Sequence, residues 1–270
     1  MIPLHDQNPT RTLPVVTLLL IAACVAVYFL VQPNAQVRVV EADPQEEQVR
    51  QLRFNLERAA VPQELTTGRP LTDDEVADTF PTDGIPSSAF LCPANEEPAC
   101  YPDKSPWLSI LYSMFLHGSV MHLAGNMLFL WVFGNNIEDR RGRVTYIAFY
   151  VLAGVAATFA QVLVDPGSTI PMIGASGAVA GVMGAYLVLY PNVRIHTLII
   201  FGIILFRDIA AKWLLGLWFV SQFFIAPNSG VASMAHVGGF VFGAVAGLVW
   251  RLLGERGERS RDLVGFGDDR

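Results

Sequence analysis

Residues 173–190 read IGASGAVAGVMGAYLVLY, an apolar run with a single hydroxyl-bearing serine, Ser176, set between Ala175 and Gly177 near its start. The run is greasy enough to sit in lipid, so its serine needs a reason. Small residues line the surfaces where membrane helices touch, which accounts for Ser176 as packing. A hydroxyl held beside a base accounts for it as a nucleophile. What the rest of the chain places at the same depth separates the two.

The 270 residues are 52% hydrophobic and 16% charged, where soluble domains carry roughly 25% charged residues. An ordinary soluble domain is thereby excluded. A membrane helix needs about 20 mostly apolar residues, and six segments qualify: 13–31, 116–135, 144–163, 172–190, 211–225 and 231–253, the fifth being the shortest. No small-residue cleavage pattern follows the first, which reads as a retained anchor. Charge supplies the direction. Residues 33–104 hold 14 acids and 6 bases, whereas the other 12 bases fall at the N-terminus, in 140–143, in 194–212 or after Trp250. Basic short loops stay cytoplasmic. Six spans with both termini inside gather all those bases on one side and leave the acidic segment outside.

The expected fold class is therefore all-α: a polytopic membrane protein of six transmembrane helices with both termini cytoplasmic. Residues 1–12 form a short cytoplasmic N-terminus, with no cytosolic regulatory module expected ahead of the first helix (13–31). An acidic outer loop (32–106) carries short helices. Five further transmembrane helices occupy 107–253, and a charged cytoplasmic tail, 254–270, is expected to lack fixed structure. In the outer loop, Val49, Leu52 and Leu56 recur at helical spacing. Thr72 stands three residues before Glu75, the signature of a capping box. Pro81, Pro86, Pro93, Pro98, Pro102 and Pro106 mark a loop. This whole segment reads as a solvated element without a catalytic role. Cys92 and Cys100 lie in it, free to pair in an oxidising compartment or to remain thiols, while Cys24 reads as packing in the first span. Residues 195–206, IHTLIIFGIILF, are too short to span and read as an interfacial or partly re-entrant segment on the cytoplasmic side.

Polar groups within spans are costly and point to function. Here they are His122, Asn126, Ser176 and His236. His122 and Asn126 are four apart and share a helix face; His117 points elsewhere and reads as an interfacial histidine at the helix mouth. The second, fourth and sixth spans run from outside to inside, and all four residues come early in theirs. At 1.5 Å per residue each lies within about 10 Å of its helix's outer end. Polar side chains from three helices thus converge on one layer.

Glycines bring those helices together. Gly177, Gly181 and Gly184 descend from Ser176, and Gly239, Gly243 and Gly247 descend from His236, spaced as a small-xxx-small seam. Close backbone approach would carry Ser176 to the His236 imidazole, so packing and nucleophile are compatible readings. Histidine has a suitable pKa to take a serine proton. Asn126, His122 and the Ser176 N–H suit a developing oxyanion. No Asp or Glu falls at this depth, so a dyad is expected rather than a triad.

In HGSVMHLAGN (117–126), GNNIEDRRG (134–142), GASG (174–177) and AHVGGFVFG (235–243), the chain resembles the rhomboid family of intramembrane serine proteases over about residues 13–253. GASG alone is weak; the four in order are specific. The resemblance implies Ser176 as nucleophile, His236 as general base, and His122 with Asn126 as oxyanion stabilisers. It implies structural and packing roles for Gly174, Gly177, Gly181, Gly239 and Gly243, and a loop-shaping role for Glu138 and Arg140 after the second helix. It further implies cleavage of peptide bonds in or next to the transmembrane helices of membrane-protein substrates, in a plasma membrane of bacterial type. Two departures stand out. Ala180 occupies the place where some members carry an aromatic against the histidine, and Trp107 is followed by Leu108 rather than arginine. No metal or nucleotide motif is present, neither a His-Glu-x-x-His run nor a phosphate-binding glycine loop, and no cofactor or nucleic-acid partner is expected. A catalytically dead relative would be expected to lack Ser176 or His236. A transporter would spread its polar groups through the membrane depth.

Overall fold

The computed structural model describes residues 1–33, 44–80, 91–93, 99–201, 203–226 and 230–264. Among these residues helices dominate. β1 (Ile2–Asp6) leads into α1 (Val15–Ala26), which ends in a π turn over Val27–Val31. A polar unit follows, with α2 (Pro44–Arg58), α3 (Pro62–Thr67) and α4 (Asp73–Thr79), and then the short α5 (Pro106–Ser113). Next come the long helices α6 (Val120–Arg141) and α7 (Arg143–Val164), and α8 (Ser176–Leu189). A hairpin of β2 (Arg194–Phe201) and β3 (Ile203–Ala210) leads to α9 (Ala211–Ser221), a 3-10 turn over Gln222–Phe224, and α10 (Ser233–Val264).

The expected all-α class needs correction. β1, β2 and β3 form an antiparallel sheet in that order, with Asp6 opposite Ile195 and Arg194 opposite Ala210. Residues 195–201 and 203–206 therefore lie in two paired strands, which the expected interfacial or partly re-entrant segment did not include. Branched and aromatic residues on either side of Gly202 favour pairing with each other over a helix too short to cross lipid. The sheet is tied to the helices through Asp6, whose carboxylate accepts from Tyr186 Oη (2.5 Å) and Asn136 Nδ2 (2.7 Å). Burial nonetheless pushes the Asp6 pKa above its ordinary value. The backbone beyond Glu255 also departs from expectation, continuing helical to Val264.

Two helices, Arg143–Val164 and residues 233–254 of α10, are long and apolar enough to cross a membrane; Val15–Val31 and Ser176–Leu189 are shorter apolar helices. Large apolar side chains stand exposed on the helix faces, among them Leu30 (78%), Val144 (82%), Leu163 (82%) and Phe224 (82%). Water does not tolerate so extensive an apolar surface, whereas acyl chains do.

α8 is the axle of the bundle, its residues 177–186 all buried among α6, α7 and α10. The glycine seam lies where it was expected. A Cβ on Gly243 would collide with the carbonyl of Gly181, reaching 2.6 Å from its carbon and 2.8 Å from its Cα. One on Gly184 would meet Phe240 and Ala244 backbone at 2.9 Å. α7 closes the third side with alanines, Ala153 against Gly181 and Ala157 against Gly177.

The polar unit has a small core of its own: Leu56, Val61, Leu71, Val76, Leu91, Cys92 and Cys100. Its capping box is formed, with Thr72 accepting from the Glu75 N–H and the Glu75 carboxylate accepting from Thr72 N–H. Cys92 and Cys100 are joined as a disulfide. Beneath this core, Lys104 and Glu64 make an ion pair at 2.6 Å, nearly sealed from solvent, and Lys104 also donates to the Leu56 carbonyl. Burial pushes the Glu64 pKa up and the Lys104 pKa down, each partly offset by the other's charge. Of the expected proline loop, Pro81, Pro86 and Pro98 lie outside the described residues.

Candidate active site

The half-buried Ser176 opens α8, and the half-buried His236 sits in the first turn of α10. The glycine seam lays these two helix starts side by side. Ser176 Oγ lies 2.8 Å from His236 Nε2, and His236 Nδ1 lies 2.8 Å from the Oε1 of Gln222. Gln222 is buried and was not singled out in the sequence; its Nε2 donates to the Trp218 carbonyl at 3.0 Å and to Ser221 Oγ at 3.2 Å. The Trp218 ring, also unforeseen, packs 5.9 Å from the imidazole between centroids. An aromatic neighbour for His236 thus comes from α9 rather than from position 180.

His122 and Asn126 arrive from the first turns of α6, whose N-terminus is capped by Ser119 accepting from the His122 N–H. The Asn126 amide donates to the His122 carbonyl at 3.0 Å. The Gly118 N–H approaches His122 Nδ1 at 3.4 Å, which makes Nδ1 the acceptor and leaves the proton on Nε2. Gly174 separates His122 from Ser176. Its φ of +125° is a backbone region that side chains avoid, and a Cβ there would stand 2.8 Å from His122 Nε2 and 3.4 Å from Ser176 Oγ. The space left by that missing side chain lies between an N–H donor and the serine oxygen.

All four polar residues line one cavity of about 800 Å³, whose apolar wall includes Phe129, Val179, Met183 and Trp218. Pro62 of the polar unit and Gln161 and Asp165 at the end of α7 stand at its rim.

The remaining expected residues have other duties. Glu138 faces the turn after α6, its backbone carbonyl accepting from the Gly142 N–H at 2.8 Å and its carboxylate 4.0 Å from Arg143. It also caps α1, its buried carboxylate accepting from the N–H groups of Val16 (2.9 Å) and Thr17 (2.8 Å) and from the Thr17 hydroxyl. A carboxylate there satisfies donors that a helix start leaves unpaired. Arg140 lies 5.5 Å over the Tyr190 ring, tying α6 to the end of α8. His117 is fully buried, and its ring does not point away from His122 but packs edge-on against it, 5.3 Å between centroids. Gln32 binds both its N–H and its carbonyl, which anchors the approach to α6 at the end of the first helix. Among the described residues, Asp73, Cys92 and Cys100 are the one cluster with metal-ligand atoms close together, and its two sulfurs are already bonded to each other.

Residues 104–252 match the family model of the Rhomboid domain. The chain belongs to the rhomboid family. It is thus a mostly helical membrane protein of that family. Presenilin-associated rhomboid-like protein A, mitochondrial, of Danio rerio is 30% identical over 148 residues, 52% of this chain and 37% of that protein. Rhomboid protease GluP of Bacillus subtilis is 34% identical over 84 residues, 31% of this chain and 16% of that protein. Rhomboid protein 1, mitochondrial, of Saccharomyces cerevisiae is 32% identical over 92 residues, 33% of this chain and 27% of that protein. The chain therefore spans well under half the length of these relatives.

Proposed function

We propose that this rhomboid-family chain is an intramembrane serine endopeptidase, with Ser176 as nucleophile and His236 as general base. The observation that carries the reading is the 2.8 Å contact between Ser176 Oγ and His236 Nε2 at the lip of a chamber that His122 and Asn126 also line. Serine attacks the scissile carbonyl as its proton passes to Nε2. The resulting oxyanion occupies the space beside Gly174, where the His122 Nε2–H, the Asn126 amide and the first N–H groups of α8 are available as donors. Nε2 then returns the proton to the leaving amine, and water hydrolyses the acyl-enzyme by the same route.

The substrates are the transmembrane helices of other membrane proteins, since an active serine at membrane depth meets little else. We place six spans across the bilayer, with both termini cytoplasmic, the segment 32–106 outside and 107–253 as the catalytic core. The clustering of bases supports this direction. So does the Cys92–Cys100 disulfide, which belongs in an oxidising compartment. The plasma membrane of a bacterial-type cell fits that arrangement, with the lipid bilayer as constant partner. The test is to incubate purified protein with a panel of single-span substrates beside a Ser176→Ala control. Cleavage by the parent and none by the variant is expected; equal cleavage by both would overturn the assignment.

A further inference from the structure

We infer that Gln222 is the positioning residue of this site: its side-chain carbonyl accepts the Nδ1–H of His236 and holds the imidazole in the tautomer whose Nε2 faces Ser176. The inference rests on the reading of Ser176 and His236 as nucleophile and base.

An amide side chain can turn either end towards a neighbour, so its orientation must be settled by its other contacts. Here the Trp218 carbonyl settles it. A carbonyl only accepts, so the Gln222 atom 3.0 Å away must be the amide nitrogen. Oε1 is then the atom 2.8 Å from His236 Nδ1, and an amide oxygen only accepts as well. Nδ1 therefore carries the proton. A neutral imidazole has one proton, so Nε2 presents its lone pair to Ser176 Oγ. A rotated amide would set two carbonyl oxygens against each other at Trp218.

The chain of contacts thus runs from the Trp218 carbonyl through Gln222 and His236 to Ser176. Trp218 in the last turn of α9 and Gln222 at the start of the 3-10 turn that follows are four residues apart, and the Trp218 ring flanks the same imidazole. Gln222 is 4% exposed, so solvent does not compete for its carbonyl. No carboxylate is needed for this duty. A neutral acceptor selects the tautomer without placing a charge at membrane depth, where charge is expensive.

The test compares Gln222→Leu, which removes the acceptor, with Gln222→Glu, which restores one. We expect Gln222→Leu to lower kcat about 10- to 10²-fold, as for a misoriented catalytic group, with KM changed less than twofold. Gln222→Glu should recover most of the loss. A purely structural role predicts that both variants fail together with reduced thermal stability, and that result would overturn the inference, as would a Gln222→Leu enzyme with parental kcat. ¹⁵N-histidine NMR of the purified protein reads the tautomer without activity. The parent should show a protonated Nδ1 and an unprotonated Nε2 at His236; the reverse would sink the inference even if Ser176 proves to be the nucleophile. Conversely, a parental protein with the expected tautomer but no cleavage of any substrate would remove the functional reading and leave the hydrogen-bond assignment standing.

Discussion

Gly243→Ala isolates the link between helix packing and chemistry, because it adds one methyl seven residues away from His236. That methyl would lie 2.6 Å from the carbonyl carbon of Gly181, where ordinary contact begins at 3.4 Å. The Gly181 carbonyl oxygen lies closer still, so α10 must retreat from α8 by at least about 0.8 Å, the difference between those two distances. His236 rides the same rigid helix two turns earlier, so its 2.8 Å contact with Ser176 would stretch to about 3.6 Å or more, beyond a useful hydrogen bond. A displacement near 1 Å costs on the order of 10²-fold in rate, and overpacking costs about 1–3 kcal/mol in stability. The same substitution at Gly247 meets neighbours only at 3.1–3.2 Å, and at Gly254 nothing within 4 Å. Cleavage rates and fluorophosphonate labelling should therefore fall in the order Gly243→Ala, Gly247→Ala, Gly254→Ala, with the last near parental. Equal losses at Gly243 and Gly254, or a Gly243→Ala enzyme within twofold of the parent, would refute the seam as the device that aligns serine and histidine.

Other expectations are narrower. Asn126→Ala should lower kcat about 10²–10³-fold without abolishing turnover, the loss measured for one oxyanion donor in a serine protease; steady-state kinetics on a single-span substrate decide it. Lys104→Met strands the Glu64 carboxylate in the polar unit and should cost about 3–5 kcal/mol, read as earlier unfolding of that unit in denaturant. The Arg69 guanidinium holds the Glu75 carboxyl down to about 2, from an ordinary 4.5. A depressed carboxyl stabilises the fold above its unfolded pKa, so this contribution should be present at neutral pH and lost as pH falls from about 4.5 towards 2. Glu75→Gln should flatten that part of the stability profile in a circular-dichroism titration.

Much of the candidate site was legible because polar residues in apolar helices are few. Ser176, His236, His122 and Asn126 each interrupt a run that otherwise favours lipid, and helical rise alone put them in one layer. The glycine spacing then named the helix pair that would bring two of them together. Gln222 and Trp218 escaped because nothing in their own segment is unusual: a glutamine ending an apolar helix looks like an ordinary boundary, and a tryptophan near it like an interfacial anchor. Their roles exist only through contact with α10. The hairpin was hidden for a different reason. IHTLIIFGIILF is apolar at every position but a few, so it carries neither the alternation of a half-buried strand nor the length of a span. Glu138 was legible only in its contacts with the turn after α6; its other partner, the start of α1, lies more than a hundred residues away in sequence.

The most direct test is the mass of the purified protein after reaction with a fluorophosphonate. Peptide mapping should find one adduct, on Ser176, and the adduct should vanish in Ser176→Ala and fall to trace levels in His236→Ala. An adduct on another residue, or undiminished labelling of Ser176 in His236→Ala, would contradict the assignment of a serine activated by that histidine.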